Sequence, residues 1–142
     1  MDREELITEL QKAIRKSQHH RHRYGNKEDS KRGIVLKYLY DQGGSASPGR
    51  ICTLLHVTTA RVTVLLNELE EEHLIIREVA PHDRRRVCVE LTEKGRQSVE
   101  QWNRRGREET ERLVEKIGEE DAKALLRICH AMEEIRNEDS VK

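Results

Sequence analysis

The stretch SPGRICTLLHVTTARVTVLLNELEEEHLIIREVAPHDRRRVCVELTEKG, residues 47–95, decides the fold of this 142-residue chain. It opens with Ser47 and Pro48, residue types preferred at the N-cap and the first position of a helix. Ile51, Leu54 and Leu55 give this first helix an apolar face, and only His56 and Val57 separate it from Thr58, a second N-cap. Apolar side chains then repeat at helical spacing over residues 62–69. Two helices joined by so short a turn predict a helix-turn-helix.

In the segment that follows, the apolar side chains no longer repeat at helical spacing. Residues 75–79 are mostly apolar, residues 81–83 carry the turn sequence Pro-His-Asp, and residues 87–91 alternate between aliphatic and other side chains. Strict alternation is typical of a half-buried strand. Residues 75–91 are therefore predicted to form a β-hairpin.

Helices are predicted on both sides of this central segment. The paired glycines after the apolar segment 34–40 suit a helix end with left-handed backbone. Thr92 caps a polar helix that runs to about Ile117, and acidic residues start a last helix at Glu119. A polar stretch, residues 17–31, separates the first apolar stripe from the apolar segment 34–40. Apolar stripes are expected in the first helix at Leu6, Ile7, Leu10, Ala13 and Ile14, and in the last helix at Leu125, Ile128, Cys129, Met132 and Ile135.

The composition is highly charged yet balanced. Charged residues make up 38% of the chain, and 27 Lys and Arg offset 27 Asp and Glu. Taken as an average, this balance argues against a uniformly basic nucleic-acid binder. The charge is unevenly placed, however, because no acidic residue occurs between Asp41 and Glu68, and three arginines follow the hairpin turn. An acid-free helix-turn-helix beside a basic hairpin tip favours DNA binding.

Several classes of protein are not expected. No stretch is long and apolar enough for a transmembrane helix, and the acidic amino terminus does not resemble a signal peptide. Three cysteines without a CxxC pair fit neither a disulfide framework nor a zinc ribbon, so a cytoplasmic location is expected. An enzyme is not expected either, because no nucleophile elbow, P-loop or dinucleotide fingerprint is present.

Two motifs resemble the MarR-type winged helix-turn-helix regulators. DRRRVCVELTEKG, residues 83–95, is similar to the wing of that family, and TVLLNELEEEHLI, residues 63–75, is similar to its recognition-helix end and following strand. The resemblance runs from about Ile34 to Gly95. It implies a mainly α fold with a small β-hairpin wing, in which the winged helix-turn-helix is flanked by dimerisation helices. We expect a single domain over residues 1–142.

The resemblance also implies an organisation and a function. Within the domain, residues 34–96 would form the DNA-binding lobe, and residues 1–33 and 97–142 the helical dimerisation region. The chain would be a homodimeric, sequence-specific DNA-binding transcription regulator, expected to be a repressor, on a pseudo-palindromic site in double-stranded DNA. A small effector would tune its affinity for DNA, and no cofactor is expected.

The residues expected to contact DNA lie on the second helix, at the start of the first and in the wing. Asp83 would brace the wing, Arg85 would reach the minor groove, and Arg84 and Arg86 would contact phosphates. The full set is Ser47, Arg50, Thr58, Thr59, Ala60, Arg61, Thr63, Asp83, Arg84, Arg85 and Arg86.

The chain departs from the family pattern at two positions. Val64 stands where many members carry Arg in the recognition helix, and His73 stands where a Gly usually precedes the strand. Either a left-handed backbone position tolerates the His73 side chain, or the turn has a different form.

Other functions stay open as alternatives. A metal-responsive regulator would use imidazoles from His19, His20 and His22 with His130 or Glu133, although a solvated basic loop is the simpler explanation of the first three. A redox-responsive regulator would use Cys88, expected to face outward among arginines, whereas Cys129 is expected in the core and Cys52 at its border. Tyr24, Tyr38 and Tyr40 are candidates for an effector pocket or for the core. A different class of function also stays open, in which the winged-helix fold binds other proteins and does not bind DNA.

Overall fold

The computed structural model describes the backbone of residues 1–24, 28–80 and 83–141, and the side chains of residues 1–17, 31–79 and 86–139. Over these residues the fold is mainly helical with one small sheet, as predicted. The elements in chain order are α1 (Arg3–Tyr24), α2 (Glu28–Asp41), β1 (Ser45–Ala46), α3 (Pro48–Leu55), α4 (Thr59–Glu71), β2 (Ile75–Ala80), β3 (Asp83–Leu91), α5 (Glu93–Ile117) and α6 (Glu119–Val141).

The sheet is antiparallel, with strand order β1-β3-β2. Strands β2 and β3 form the predicted hairpin, in which Ile75 lies opposite Leu91. Strand β1 was not predicted, because two residues are too short to show a period. It is reached through Gly43 and Gly44, whose φ angles of 81° and 108° confirm the left-handed backbone expected there.

The predicted helix caps of the helix-turn-helix are confirmed. The Ser47 hydroxyl accepts a hydrogen bond from the Arg50 amide, and the Thr58 hydroxyl accepts one from the Arg61 amide, both at 3.3 Å. Each cap satisfies an amide that has no partner inside its helix. The turn between α3 and α4 passes through His56, which has a left-handed φ of 55°.

The chain forms two compact units, each with its own core. We call Lys27–Gln101 the helix-turn-helix unit and Met1–Asn26 with Trp102–Lys142 the helical unit. The core of the helix-turn-helix unit draws on four helices and both hairpin strands: Val35, Leu36, Leu39, Ile51, Val62, Leu65, Leu66, Leu69, Ile75, Val89 and Val99. The core of the helical unit consists of Leu6, Ile7, Leu10, Ala13, Val114, Ala122, Leu126 and Cys129.

The predicted α6 stripe is divided between the core and the surface. Cys129 is buried as expected, but Ile128, Met132 and Ile135 are 56%, 46% and 58% exposed. The side of α6 that packs in the core carries Ala122, Leu126 and Cys129 instead. Five apolar residues at steps of three and four span more of the helix circumference than the core covers. An apolar strip is therefore left on the surface of the helical unit.

The solvated loop that would explain His19, His20 and His22 is wrong as a loop, because these residues lie in a helix. Helix α1 continues to Tyr24, and α2 already begins at Glu28. Gln, His, Arg and Lys are all tolerated in helices, so a polar sequence indicates exposure and not the absence of a helix.

The end of α4 meets the start of α5 in what we call the α4–α5 junction, residues 72–74 and 92–95. His73 takes a left-handed φ of 62°, so the position tolerates a side chain in place of the usual glycine. The Thr92 hydroxyl donates to the His73 carbonyl at 2.6 Å and accepts from the Gly95 amide at 3.0 Å. The Thr92 amide donates to the Leu74 carbonyl at 3.1 Å. One threonine thus ties α4, the hairpin and α5 together.

Gly95 is required by this junction. A Cβ atom there would overlap the Leu74 carbonyl oxygen and lie 2.7 Å from Leu91 Cδ1. The first turn of α5 also holds an ion pair, in which a hydrogen bond from Arg96 lowers the pKa of the Glu93 carboxyl below its ordinary value.

We predict that Gly95→Ala destabilises the protein by about 1–3 kcal/mol, because the backbone at Leu74, just before β2, has to move to admit a methyl group. Gly33→Ala is the matched control, since Gly33 lies inside α2 and a Cβ there has no heavy atom within 4 Å. That control is expected to stabilise by up to about 1 kcal/mol through helix propensity. Urea unfolding followed by circular dichroism measures both, and equal effects of the two substitutions would contradict the packing at the junction.

Candidate nucleic-acid interface

Helix α4 has one buried and one exposed side. Val62, Leu65, Leu66 and Leu69 pack into the core, whereas the opposite side faces solvent. The middle of that exposed side is a row at steps of four, three and four residues, which we call the α4 stripe: Ala60, Val64, Asn67 and Glu71. Val64, the only large aliphatic residue in this row, is 58% exposed. In a helix-turn-helix, the exposed side of the second helix is the one that enters the DNA major groove.

The predicted hydroxyl contacts on α4 are already used within the helix. Thr58 caps α4, and the Thr63 hydroxyl donates to the Thr59 carbonyl at 2.9 Å. The oxygens of Thr59 and Thr63 nevertheless lie on exposed residues and can still accept hydrogen bonds. Arg61 is exposed and follows Ala60 directly, so it lies to one side of the stripe. Arg61, Val64 and Glu68 line a pocket beside α4 together with Lys31 of α2.

The remaining predicted contacts lie on α3 and the wing. Ser47 and Arg50 are exposed at the start of α3. In the wing, Arg86 is exposed. Asp83 pairs with Ala80 through the backbone next to the hairpin turn. The side chains predicted to brace the wing and to reach the minor groove, those of Asp83, Arg84 and Arg85, lie outside the described residues.

The acidic run at the end of α4 is held by cations from three other elements. Arg77 Nε of β2 lies 2.5 Å from Glu70 Oε2, and Arg32 of α2 pairs with Glu72. The Lys94 ammonium of α5 donates to the Glu72 carbonyl at 2.9 Å. Glu70 and Glu72 are therefore ion-paired and not only solvated. Cations at a helix carboxyl end are stabilised by the unpaired carbonyls there, so this arrangement fixes the end of α4.

Arg77 also reaches the α4 stripe. Its Nη2 atom donates to Asn67 Oδ1 at 2.6 Å, on the exposed side of the helix. Asn67 and Arg77 were not among the residues predicted to form the site. Helical spacing from Ala60 through Val64 could have identified Asn67, but no sequence pattern shows that Arg77 of β2 folds back onto it.

Of the three tyrosines predicted for an effector pocket or the core, the structure describes the side chains of Tyr38 and Tyr40. Tyr40 is half-buried against the core of the helix-turn-helix unit, and its hydroxyl donates to Glu100 Oε1 at 3.5 Å. The Lys37 ammonium lies 5.4 Å from the centre of the Tyr40 ring. Tyr38 is half-buried, and the side chain of Tyr24 lies outside the described part of the chain.

The candidate metal and redox residues stay predictions. The side chains of His19, His20 and His22 lie outside the described residues, and His130 is exposed on α6. Where side chains are described, no group of three His, Cys, Asp or Glu residues is placed to hold a metal ion. Cys88 is half-buried opposite Glu78, so its surroundings are not made of arginines alone. Of the helices in the described ranges, none has the length and apolar character needed to cross a membrane.

Comparison with known proteins agrees with this geometry. The sequence profile of the MarR family matches residues 32–86. The HTH-type transcriptional regulator YwhA of Bacillus subtilis (strain 168) is 31% identical over 97 residues, which are 68% of this chain and 69% of that protein.

Solved structures of transcription regulators superpose on most of the chain. The crystal structure of MepR, a transcription regulator of the Staphylococcus aureus multidrug efflux pump MepA, gives a TM-score of 0.61 at 25% identity and covers 93% of this chain and 96% of that one. The Staphylococcus aureus MepR–DNA complex gives a TM-score of 0.52 at 32% identity, covering 71% of this chain and 74% of that one. The family and these neighbours are transcription regulators and not enzymes. The chain belongs to the MarR family of winged helix-turn-helix transcription regulators.

Proposed function

We propose that this chain is a sequence-specific DNA-binding repressor that acts as a homodimer. In each protomer α4 enters the major groove and the β2–β3 hairpin reaches the adjacent minor groove. The observation that carries the proposal is the exposed side of α4, which presents side chains suited to base edges on a helix held rigidly by its buried side. The likeness to MepR, which has been crystallised with DNA, supports the same interpretation.

The distribution of charge supports DNA binding. Residues 42–67, which span β1, α3 and most of α4, contain no Asp or Glu, and Arg50, Arg61 and Arg86 are exposed around α4. These arginines can pair with DNA phosphates at the interface. The zero net charge of the whole chain at the same time limits its sequence-independent attraction to DNA.

The exposed apolar strip of α6 supports dimerisation. Ile128, Met132 and Ile135 follow one another at steps of four and three on one side of the helix, and each is about half exposed. A second copy of the chain presents the same strip, so a twofold axis would bury both. We place the dimer interface in residues 1–33 and 97–142 and the DNA contacts in residues 34–96.

Selection of bound duplexes from a random DNA pool tests the proposal. Wild-type protein is expected to enrich a pseudo-palindrome whose half-sites are centred about 10 base pairs apart, because each α4 meets one turn of the major groove. A bound pool no different from the starting pool would contradict DNA-binding regulation and favour a winged fold that binds proteins.

We predict that Arg86→Ala weakens binding to the enriched duplex. It should also make the fall of log affinity with log salt less steep by about 1, as expected when a protein neutralises one phosphate fewer. Arg112→Ala, which removes an exposed arginine of α5 in the helical unit, is the control and should change neither value. Fluorescence anisotropy over a range of salt concentrations measures both. An unchanged slope for Arg86→Ala would place that side chain away from the phosphates.

We predict that Met132→Glu halves the mass of the protein in solution, from two chains to one chain of 16.7 kDa, because a buried carboxylate has no partner in an apolar interface. Val79→Glu changes a residue of the wing that is similarly exposed, at 54%, and should leave the dimer intact. Light scattering after size exclusion measures the mass. A Met132→Glu protein that stays dimeric would place the interface elsewhere.

A further inference from the structure

We propose, resting on the DNA-binding function above, that the α4 stripe reads thymine in the major groove. Val64 and Ala60 contact the C5-methyl group, and the Asn67 amide donates to the thymine O4 atom.

The first observation is the exposed aliphatic surface on α4. Val64 is 58% exposed, whereas its neighbour Leu65 is 8% exposed in the core. Ala60 lies one turn before Val64, and Asn67 lies one turn after it, so two apolar groups and one amide share the middle of the exposed side. The stripe has no Lys or Arg, the side chains that read guanine O6 and N7 most often.

The second observation is the hydrogen bond that Asn67 already makes. A free asparagine offers a donor and an acceptor and pairs with adenine, which presents the matching acceptor and donor. Here Asn67 Oδ1 accepts from Arg77 Nη2 at 2.6 Å. Because arginine has only donors, the Asn67 oxygen has to face Arg77, and the amide NH₂ group remains as a donor.

Arg77 is itself held in place, so the Asn67 amide keeps this orientation. Arg77 Nε lies 2.5 Å from Glu70 Oε2, one turn along α4 from Asn67, and the arginine is only 29% exposed. The pair Glu70–Arg77 therefore sets which hydrogen-bonding group Asn67 offers to DNA. Arg77 is a positioning residue, because it acts through Asn67.

These two observations match one base. Thymine alone carries a methyl group on its major-groove edge, and its O4 atom beside that methyl is an acceptor. An apolar surface next to an amide donor is complementary to this edge. A cytosine, with a donor at N4 and no methyl group, would leave the amide facing a like group.

The test compares thymine with uracil, which lacks the C5-methyl group but keeps the same pairing edge. The probe is the duplex that wild-type protein enriches from the random pool, synthesised once with thymine and once with uracil throughout. Wild-type protein is expected to bind the uracil duplex about fourfold more weakly for each methyl group that α4 no longer contacts, and roughly tenfold or more over two half-sites. The expected half-site contains thymine.

The Val64→Ala variant tests whether the preference for the thymine duplex over the uracil duplex comes from the α4 stripe. It should weaken binding to the thymine duplex and reduce the thymine-to-uracil affinity ratio by about fourfold in each half-site, because the methyl group then has less surface to contact. Arg112→Ala is the control, since Arg112 is an exposed residue of α5 in the helical unit, outside the proposed DNA contacts, and should keep the wild-type ratio.

Three outcomes overturn the inference alone: equal affinity of wild-type protein for the two duplexes, a ratio unchanged by Val64→Ala, or an enriched half-site without thymine. In each case the enriched duplex still binds, so the proposed function stands. If no duplex is enriched, the proposed function fails and the inference falls with it.

Discussion

The hydrogen bonds of Thr92 at the α4–α5 junction are the constraint on which the helix-turn-helix unit depends. The hydroxyl group links the carbonyl of His73, just after α4, to the amide of Gly95 in the first turn of α5. The backbone of the same threonine joins the start of β2. Because the three elements meet within a few residues, the direction of α4, the hairpin and α5 is fixed at one place, and Gly95 supplies the space that this approach requires.

The electrostatics at the same end of α4 follow from this geometry. Four glutamates near a helix carboxyl end are unfavourable by themselves, since they repel one another and the unpaired carbonyls. Arg32, Arg77 and Lys94 arrive from α2, β2 and α5 and offset this repulsion. The acidic end is thus a point of attachment, and the start of α4 keeps an acid-free surface.

Much of the helix-turn-helix unit was predictable because local chemistry determines it. Ser47 and Thr58 are caps that any short helix start would use, and the alternation in residues 87–91 identifies a half-buried strand. The departure from the family pattern at His73 left two forms of the turn open, and the structure has the left-handed one. For the candidate site, exposure of the predicted α4 residues and of Arg86 is confirmed, while their contacts with DNA stay predictions.

What could not be predicted depends on long-range packing. The hydrogen bond from Arg77 to Asn67 joins residues whose proximity only the fold creates. The division of the apolar residues of α6 into a buried and an exposed side depends on how much of the helix α1 and α5 cover. The extension of α1 to Tyr24 was missed because polar side chains do not distinguish an exposed helix from a loop.

The proposed function requires that α4, held by the junction, lies in the major groove once per protomer. Dimethyl sulfate probing of the enriched duplex tests this placement directly, because the reagent methylates guanine N7 in the major groove and adenine N3 in the minor groove. We expect bound protein to protect guanine N7 in two segments about one helical turn apart on one side of the duplex. Unchanged guanine N7 reactivity on fully bound DNA would contradict this placement of α4.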